Sequence, residues 1–127
     1  MKTTELRIGN YVNGIYDEGE FIAEVLTVDS EGCLLDANGI YELTSLKVIK
    51  PIPLTEEWLI KFGLKYHDLN GDSGYYQILT KNGIFQILYS ENDERFIFNN
   101  QWVDYVHELQ NIFYFNVLTN EELTIKL

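Results

Sequence analysis

The stretch Pro51-Ile-Pro-Leu-Thr-Glu-Glu-Trp-Leu-Ile-Lys-Phe-Gly-Leu64 decides how this 127-residue chain is divided. Pro51 and Pro53 cannot donate a backbone hydrogen bond to a sheet. A strand that approaches this stretch must therefore end before it. The sequence predicts three parts: a β-rich half over 1–50, a connecting helix within 51–64, and a sheet-plus-helix half over 65–127.

Within this stretch the residues predict a helix of about two turns over 55–62. Thr55 is a favourable N-cap, because its hydroxyl can accept a hydrogen bond from the first turn. Gly63 can adopt the left-handed conformation that ends a helix. The apolar face would be formed by Trp58, Leu59 and Phe62. We expect this face to pack between the two halves, so that they unfold as one cooperative unit.

Residues 1–50 predict five short strands joined by tight turns. The first strand is expected over Leu6–Val12, followed by a turn at Asn13-Gly14, and Asn38-Gly39 predicts a hairpin. Because closure removes the exposed edges of a sheet, these strands favour a small barrel. The order of the strand and loop lengths resembles that of an SH3-like barrel, a fold that hosts many functions.

Residues 65–127 predict an antiparallel sheet packed by one longer helix. Strands are expected over 65–69, 75–80, 84–89 and 95–98. A helix is expected over 101–117, where the apolar residues at helical spacing are Trp102, Val106, Leu109 and Phe113. The expected fold is therefore α+β: a five-stranded SH3-like small barrel, a short central helix, and an antiparallel sheet with one longer helix.

The composition provides enough apolar residues for a packed core, since 46% of residues are hydrophobic and 14% are aromatic. Cys33 is the only cysteine, which excludes an internal disulfide and favours a reducing compartment. No run approaches the roughly 20 apolar residues of a membrane helix, and the first residues do not resemble a secretory signal. We expect a cytoplasmic protein with no membrane partner.

The net charge of −11 is spread along the chain, with −5 in residues 1–50 and −6 in residues 51–127. Binding a phosphate backbone requires clustered lysine and arginine. Since no such cluster is present, direct nucleic-acid binding is not expected. Two explanations of the acidic charge stay open. It keeps the protein soluble, or its carboxylates mimic the phosphates of a nucleic acid.

Few residues are candidates for catalysis or metal binding. Asp104 and His107 share a helix face, as in carboxylate metal sites, but a metal needs three or four ligands and the sequence has no second such pair. Cys33 lies in an apolar strand, where a cysteine is usually buried. The chain has no GxSxG, P-loop or GxGxxG motif. We therefore expect no catalytic, cofactor-binding or metal-binding residues, and no enzyme activity.

Tyrosines are the strongest candidates for a binding surface, because they combine apolar area with a polar tip. The alternative is that strands simply prefer tyrosine. If the first half is an SH3-like barrel, a peptide groove would lie near three of them. These candidate partner-binding residues are Tyr11, Tyr16 and Tyr41.

Separated motifs occur in order along the chain: Leu6-Arg-Ile-Gly-Asn-Tyr-Val12, Pro51-Ile-Pro-Leu-Thr-Glu-Glu-Trp-Leu59, and Tyr105-Val-His-Glu-Leu-Gln-Asn111 with Leu118-Thr-Asn-Glu-Glu-Leu123. With these motifs the chain resembles an uncharacterised family of small proteins common in gut bacteria of the Bacteroides group and in their prophages. The resemblance spans nearly the whole chain. It implies an origin in a phage or mobile element, and it implies no activity, because none is established for that family.

The sequence thus favours a non-enzymatic protein-interaction module of phage or mobile-element type, which binds a protein partner or associates with itself. Two alternatives stay open. One is an acidic nucleic-acid mimic that inhibits a DNA-binding protein, which requires carboxylates arrayed on one face. The other is an enzyme with an unrecognised site, which requires a pocket that gathers His67, His107 or Cys33 with carboxylates.

Overall fold

A computed structural model describes residues 6–16, 19–29, 32–37, 40–45, 49–68, 73–80, 83–116 and 122–123. The fold is α+β, as predicted, with two antiparallel sheets. The first sheet contains β1 (Tyr11–Tyr16), β2 (Gly19–Val28), β3 (Gly32–Ala37), β4 (Ile40–Ser45) and β5 (Ile49–Lys50). The second contains β6 (Lys65–Asp68), β7 (Ser73–Thr80), β8 (Gly83–Ser90), β9 (Arg95–Phe98) and β10 (Gln101–Val103). The helices are α1 (Glu56–Lys61) and α2 (Val106–Asn116), and in the described residues no helix is long and apolar enough to cross a membrane.

The chain forms two compact units, each built from two segments. Unit 1 consists of Met1–Pro53 and Tyr105–Asn111, and unit 2 consists of Leu54–Asp104 and Ile112–Leu127. The helix α1 therefore belongs to unit 2, whereas the residues of α2 are divided between the units. That the connecting helix makes the two halves one cooperative unit stays a prediction.

Unit 1 contains a sheet with the strand order β4-β3-β2-β1-β5. Alternation along the strands buries one side, since Val12 pairs with Ala23 in the core while Tyr11 pairs with Glu24 on the other side. The core residues are Leu6, Val12, Ala23, Val25, Cys33, Leu35 and Ile49. The five predicted strands are present. In the described parts of β4 and β5 no pairing joins the two edges, so the structure does not show a closed barrel.

The strand predicted over Leu6–Val12 is wrong in position, because β1 begins only at Tyr11. The preceding residues form a turn. The backbone N–H of Arg7 donates to Asn10 Oδ1 (2.6 Å), and Gly9 has a φ of 95°, which favours glycine. Local side-chain bonding by an asparagine therefore overrides the apolar alternation that suggested a strand.

The turn predicted at Asn13-Gly14 is also wrong, because both residues lie inside β1. Gly14 pairs with Phe21 of β2 and with Ile49 of β5, so this is a central position of the sheet. Pairing on both sides outweighs the turn preference of the dipeptide. The hairpin pair Asn38-Gly39 lies outside the described residues, but β3 and β4 on either side of it are paired antiparallel.

The predicted connecting helix is confirmed as α1. Thr55 is its N-cap, and the hydroxyl oxygen accepts a hydrogen bond from the backbone N–H of Trp58 (3.4 Å). Gly63 follows the helix with a φ of 95°, and the N–H of Leu64 donates back to the carbonyl of Leu59 (3.0 Å). The polar cap and the glycine therefore set the two ends of α1 as the sequence indicates.

Unit 2 contains a meander with the strand order β10-β9-β8-β7-β6, so each strand pairs with the next along the chain. The buried side of this sheet is largely aromatic and includes Tyr76, Phe85, Ile87, Phe96 and Val103. Phe113 of α2 meets Phe85 edge-to-face, with 5.0 Å between the ring centroids. The four predicted strands and the packing of a later helix residue on this sheet are confirmed.

The helix predicted over 101–117 is wrong in its first part, because residues 101–103 form the strand β10 and α2 begins at Val106. Asn99 and Asn100 have positive φ angles of 49° and 64°. Two consecutive residues of this conformation form the tight connection of a β-hairpin, which returns the chain beside β9. The sequence signal for this hairpin is the pair Asn99-Asn100.

Candidate functional site

The candidate site is the side of the unit 2 sheet opposite to its aromatic core. The strand register places three rows of residues on this side. The first row is His67, Tyr75, Leu88, Ile97 and Trp102. The second row is Lys65, Gln77 and Gln86, and the third is Leu79 and Ile84. Because alternate residues of a strand point to opposite sides, these side chains share one surface. We call this surface, with Ser90 and Arg95, the open face.

The open face exposes large apolar side chains. Leu79 is 79% exposed, Ile84 59%, Leu88 47% and Trp102 41%. In an antiparallel sheet with one buried side, the other side usually carries polar residues. Contiguous exposed apolar residues on a small protein commonly mark a contact with another molecule. The open face is therefore the strongest candidate for a binding surface in the described chain.

Polar side chains in the middle of the open face are ordered by contacts with one another. The rings of His67 and Tyr75 are stacked, with centroids 5.1 Å apart and an interplanar angle of 14°. The side-chain amide of Gln86 donates to Gln77 Oε1 (3.0 Å). Gln77 Nε2 lies 3.0 Å from His67 Nε2 and donates to it when this nitrogen is unprotonated. This chain of contacts holds the stacked rings of His67 and Tyr75 in place.

Arg95 fixes the position of Trp102 at the other edge of the open face. Its guanidinium carbon lies 4.0 Å from the centroid of the Trp102 ring. Nε and Nη2 of Arg95 donate to the two carboxylate oxygens of Asp104 (3.0 and 2.8 Å). The hydrogen bonds that Arg95 donates to Asp104 raise the pKa of Arg95 above its usual value. The arginine is thus charged, but a carboxylate already compensates that charge.

Among the described strand residues the open face has no aspartate or glutamate, although the chain as a whole carries a net charge of −11. Two carboxylates nevertheless contact it, because Asp104 pairs with Arg95 and Ser90 Oγ donates to Asp93 Oδ2 (2.9 Å). The cations of the face are Lys65 and Arg95, so the two charges of each sign balance. The surface is therefore nearly neutral, which lowers the cost of removing it from water.

The opposite side of β6 presents a tyrosine pair among acidic residues. The rings of Tyr66 and Tyr76 lie 5.0 Å apart. Burial raises the pKa of Tyr76, and a hydrogen bond with Glu56 adds to this effect. The pKa of Tyr66 is raised by burial and by the charges of Asp68 and Glu91. Both hydroxyls stay neutral at physiological pH, so neither supplies a phenolate.

The residues considered for catalysis and metal binding have other surroundings. Asp104 accepts both hydrogen bonds from Arg95, and the buried ring of His107 stacks on Tyr105 at 6.0 Å between centroids. Burial, and then the charge of Asp29, raise the pKa of the Cys33 thiol. The thiol is therefore protonated at neutral pH, whereas a cysteine nucleophile needs a thiolate. Within the described residues, no group of three or more histidine, cysteine or acidic side chains could hold a metal ion.

The three tyrosines expected to bind a partner do not lie side by side. Tyr11 and Tyr41 belong to one cross-strand row, in which Glu24 and Asp36 stand between them. Three strand spacings separate these two tyrosines by about 14 Å. Tyr16 is at the far end of β1, at a position of opposite alternation to Tyr11. The side chains of Tyr16 and Tyr41 lie outside the described part, so their binding role stays a prediction.

A buried polar network in unit 1 joins two of the sequence motifs. Gln110 Oε1 accepts a hydrogen bond from the backbone N–H of Tyr11 (2.8 Å), and Gln110 Nε2 donates to the carbonyl of Gly9 (3.0 Å). Asn10 Nδ2 donates to Asn111 Oδ1 (2.8 Å). Asn10 and Gln110 are fully buried. These bonds give the residues Gly9–Tyr11 and Gln110–Asn111 a structural role, because they satisfy polar groups inside the unit.

The open face was not identified from the sequence, although part of its signal was present. The strands β7 and β8, which carry much of it, were predicted. The sequence Ile-Leu occurs in both β7 and β8, so each strand carries apolar residues on both sides. Apolar residues at consecutive positions in a strand are the available sign of a second apolar surface.

No family model, curated protein or solved structure matches this chain. The function must therefore be argued from the two sheets themselves. Of their described surfaces, the open face has the composition that differs most from the rest of the acidic chain.

Proposed function

We propose that the chain is a non-enzymatic protein-interaction module that binds a protein partner through the open face. The observation that carries this proposal is an apolar and nearly neutral surface on a chain with a net charge of −11. Leu79, Ile84 and Leu88 stand on it where polar residues would keep the sheet soluble. These exposed apolar side chains lower the solubility of an isolated protein, but they stabilise a complex when a partner covers them.

The chemistry of the open face favours a protein over a nucleic acid. Aromatic and basic residues on a sheet can also stack bases, but such sheets hold the phosphate backbone with clustered cations. Here Arg95 is paired with Asp104, which leaves Lys65 as the cation without a carboxylate on this surface. The net charge of the chain also repels phosphates. Apolar and aromatic residues exposed on one surface are typical of protein interfaces.

Two finer features belong to the same proposal. The strand order β5-β1-β2-β3-β4 supports an SH3-like barrel in unit 1, because β5 lies beside β1 at the end of a meander. The resemblance of the sequence motifs supports a phage or mobile-element origin. In this view unit 1 is a stable support, and unit 2 presents the binding surface.

The proposal can be tested with a pair of matched variants. Leu88 of the open face and Ile22 of unit 1 lie in strands and are equally exposed, at 47% and 46%. Leu88→Glu introduces a carboxylate into the open face, whereas Ile22→Glu introduces the same change elsewhere. The unmodified chain and both variants would be used to capture proteins from cells of the source organism. Circular dichroism would first establish that each variant is folded.

We expect at least one protein to be captured by the unmodified chain and by Ile22→Glu but not by Leu88→Glu. Identical captured proteins for all three chains would contradict the proposal. Captured DNA-binding proteins that depend on Glu91 and Glu94 rather than on Leu88 would favour the acidic nucleic-acid mimic instead. Those two residues lie in the turn over 91–94, so Glu91→Gln with Glu94→Gln tests the mimic separately.

A further inference from the structure

The charge of the open face restricts which protein can cover it. A strongly basic partner would be attracted to the acidic remainder of the chain rather than to a nearly neutral surface. A strongly acidic partner would find Lys65 alone, because Arg95 is already paired with Asp104. The matching surface is therefore itself apolar and nearly neutral. A second copy of this chain supplies such a surface.

We propose that the open face binds the open face of a second copy, forming a two-fold symmetric dimer. This inference depends on the proposed interaction function and names its partner. Two chains that each carry −11 repel one another wherever carboxylates meet. At the open face they meet on a nearly neutral surface, where Arg95 offsets the carboxylate of Asp104. In a two-fold dimer each copy contributes the same residues. Symmetry therefore brings one nearly neutral open face against another.

The dimensions of the open face suit a reversible dimer. Five strands about 4.8 Å apart span about 19 Å, and the eight-residue strands β7 and β8 extend about 27 Å. The surface thus covers about 500 Å² per copy, below the roughly 800 Å² per partner of a standard stable interface. Two sheets packed by these faces would resemble a β-sandwich, in which side chains of facing sheets interdigitate.

Salt should strengthen this dimer. The long-range interaction between two copies is repulsive, and added salt screens it. The apolar contact itself does not depend on opposite charges and persists at high ionic strength. A complex with a basic partner behaves in the opposite way, because salt screens the attraction that holds it. The sign of the salt dependence therefore distinguishes a second copy from an oppositely charged partner.

The test is sedimentation velocity of the full chain over a range of concentrations, at about 50 mM and about 500 mM salt, with Debye lengths from roughly 14 Å down to 4 Å. We expect the unmodified chain to move from 14.8 kDa toward twice that mass, with a lower dissociation constant at high salt. Leu88→Glu should weaken the dimer at least about tenfold, because symmetry places the new charge in the interface twice. Ile22→Glu should dimerise like the unmodified chain.

Several results would overturn the inference: a mass of 14.8 kDa at all concentrations and salts, a dimer that Leu88→Glu does not weaken, or a dimer that salt dissociates. A labelled single-stranded oligonucleotide that binds the unmodified chain and loses binding in Leu88→Glu would overturn it as well. If the chain stays monomeric but loses a captured protein through Leu88→Glu, the inference fails and the proposed interaction function stands. If the chain stays monomeric and Leu88→Glu captures the same proteins as the unmodified chain, the dimer inference and the proposed interaction function both fail.

Discussion

The two sheets of this chain are alike in strand number and pairing but differ in what they bury and expose. Unit 1 buries amide side chains, those of Asn10 and Gln110, and carries Glu24 and Asp36 on the other side of its sheet. Unit 2 buries a cluster of aromatic rings and carries the open face, whose exposed side chains are largely apolar. The two sheets thus share an architecture, but the outer side of the first carries acidic residues beside exposed Ile22, whereas the open face of the second groups several exposed apolar side chains.

This difference assigns different tasks to the two units. A polar outer surface over a hydrogen-bonded interior needs no partner to be stable in water. Exposed apolar side chains lower solubility, so their grouping on the open face suggests a use there. The comparison therefore supports the proposal that unit 2 carries the binding surface.

The largest expected effect is the loss of Trp58 from the aromatic interior of unit 2. Trp58 is buried and lies 5.6 Å from Phe62 between ring centroids. Trp58→Ala should lower the free energy of unfolding by about 3–5 kcal/mol, the range for removing a large buried side chain. The measurement is denaturant unfolding followed by the fluorescence of Trp102, which is then the single tryptophan of the chain.

The same variant tests whether the two units unfold together. Cys33 is buried in unit 1, so its rate of labelling by a thiol reagent reports the opening of that unit. If the chain is one cooperative unit, Trp58→Ala should shift Cys33 labelling and Trp102 fluorescence to the same lower denaturant concentration. Two separate transitions would show that the predicted cooperativity is wrong.

The polar interior of unit 1 should respond to the loss of Gln110. Gln110→Ala removes an acceptor from the N–H of Tyr11 and a donor from the carbonyl of Gly9. Because each partner group left without its bond costs about 1–3 kcal/mol, we expect a loss of about 2–4 kcal/mol. Labelling of Cys33 should accelerate. Gln86→Ala, on the exposed open face, is the control and should change the rate little.

The fold was predictable where local chemistry and tertiary packing agree. The cap at Thr55 and the stop at Gly63 set α1, and the alternation of apolar residues located most strands. Prediction failed at Asn10 and Asn99–Asn100. In both places asparagine stabilises a turn that the surrounding apolar pattern does not show. At these positions the asparagines, and not the apolar pattern, determine the backbone conformation.

The candidate site was less predictable, because it depends on register. Tyr75, Leu88 and Trp102 are far apart in the sequence and share one row only through the pairing of four strands. Which side of a strand faces the core is set by its neighbours, and a shift of one residue exchanges the two sides. Trp102 was expected on a helix, which removed it from this surface altogether. Composition predicted the acidic charge of the chain but not the nearly neutral open face.

A smaller effect is expected from filling the space at Gly74 in β7. The ring of Tyr66 lies over this glycine, so that an added Cβ would overlap Tyr66 atoms. Gly74→Ala should therefore lower the stability of unit 2 by about 1–3 kcal/mol, the usual cost of overpacking. Denaturant unfolding followed by tryptophan fluorescence measures it. In a Tyr66→Ala background the same substitution should be nearly neutral, and an undiminished cost there would contradict this explanation.

The smallest effect compares the two outer surfaces directly, with Leu88→Thr in the open face and Ile22→Thr in unit 1. Threonine keeps the preference for a strand, and both side chains are about half exposed. In dilute solution each variant should change the free energy of unfolding by less than about 0.5 kcal/mol. At high protein concentration only Leu88→Thr should have a lower free energy of unfolding than the unmodified chain. The reason is that self-association stabilises a folded state by mass action, and Leu88→Thr weakens it. A large loss for Leu88→Thr in dilute solution would mean that this side chain is buried within a single chain. The contrast between the two sheets would then disappear.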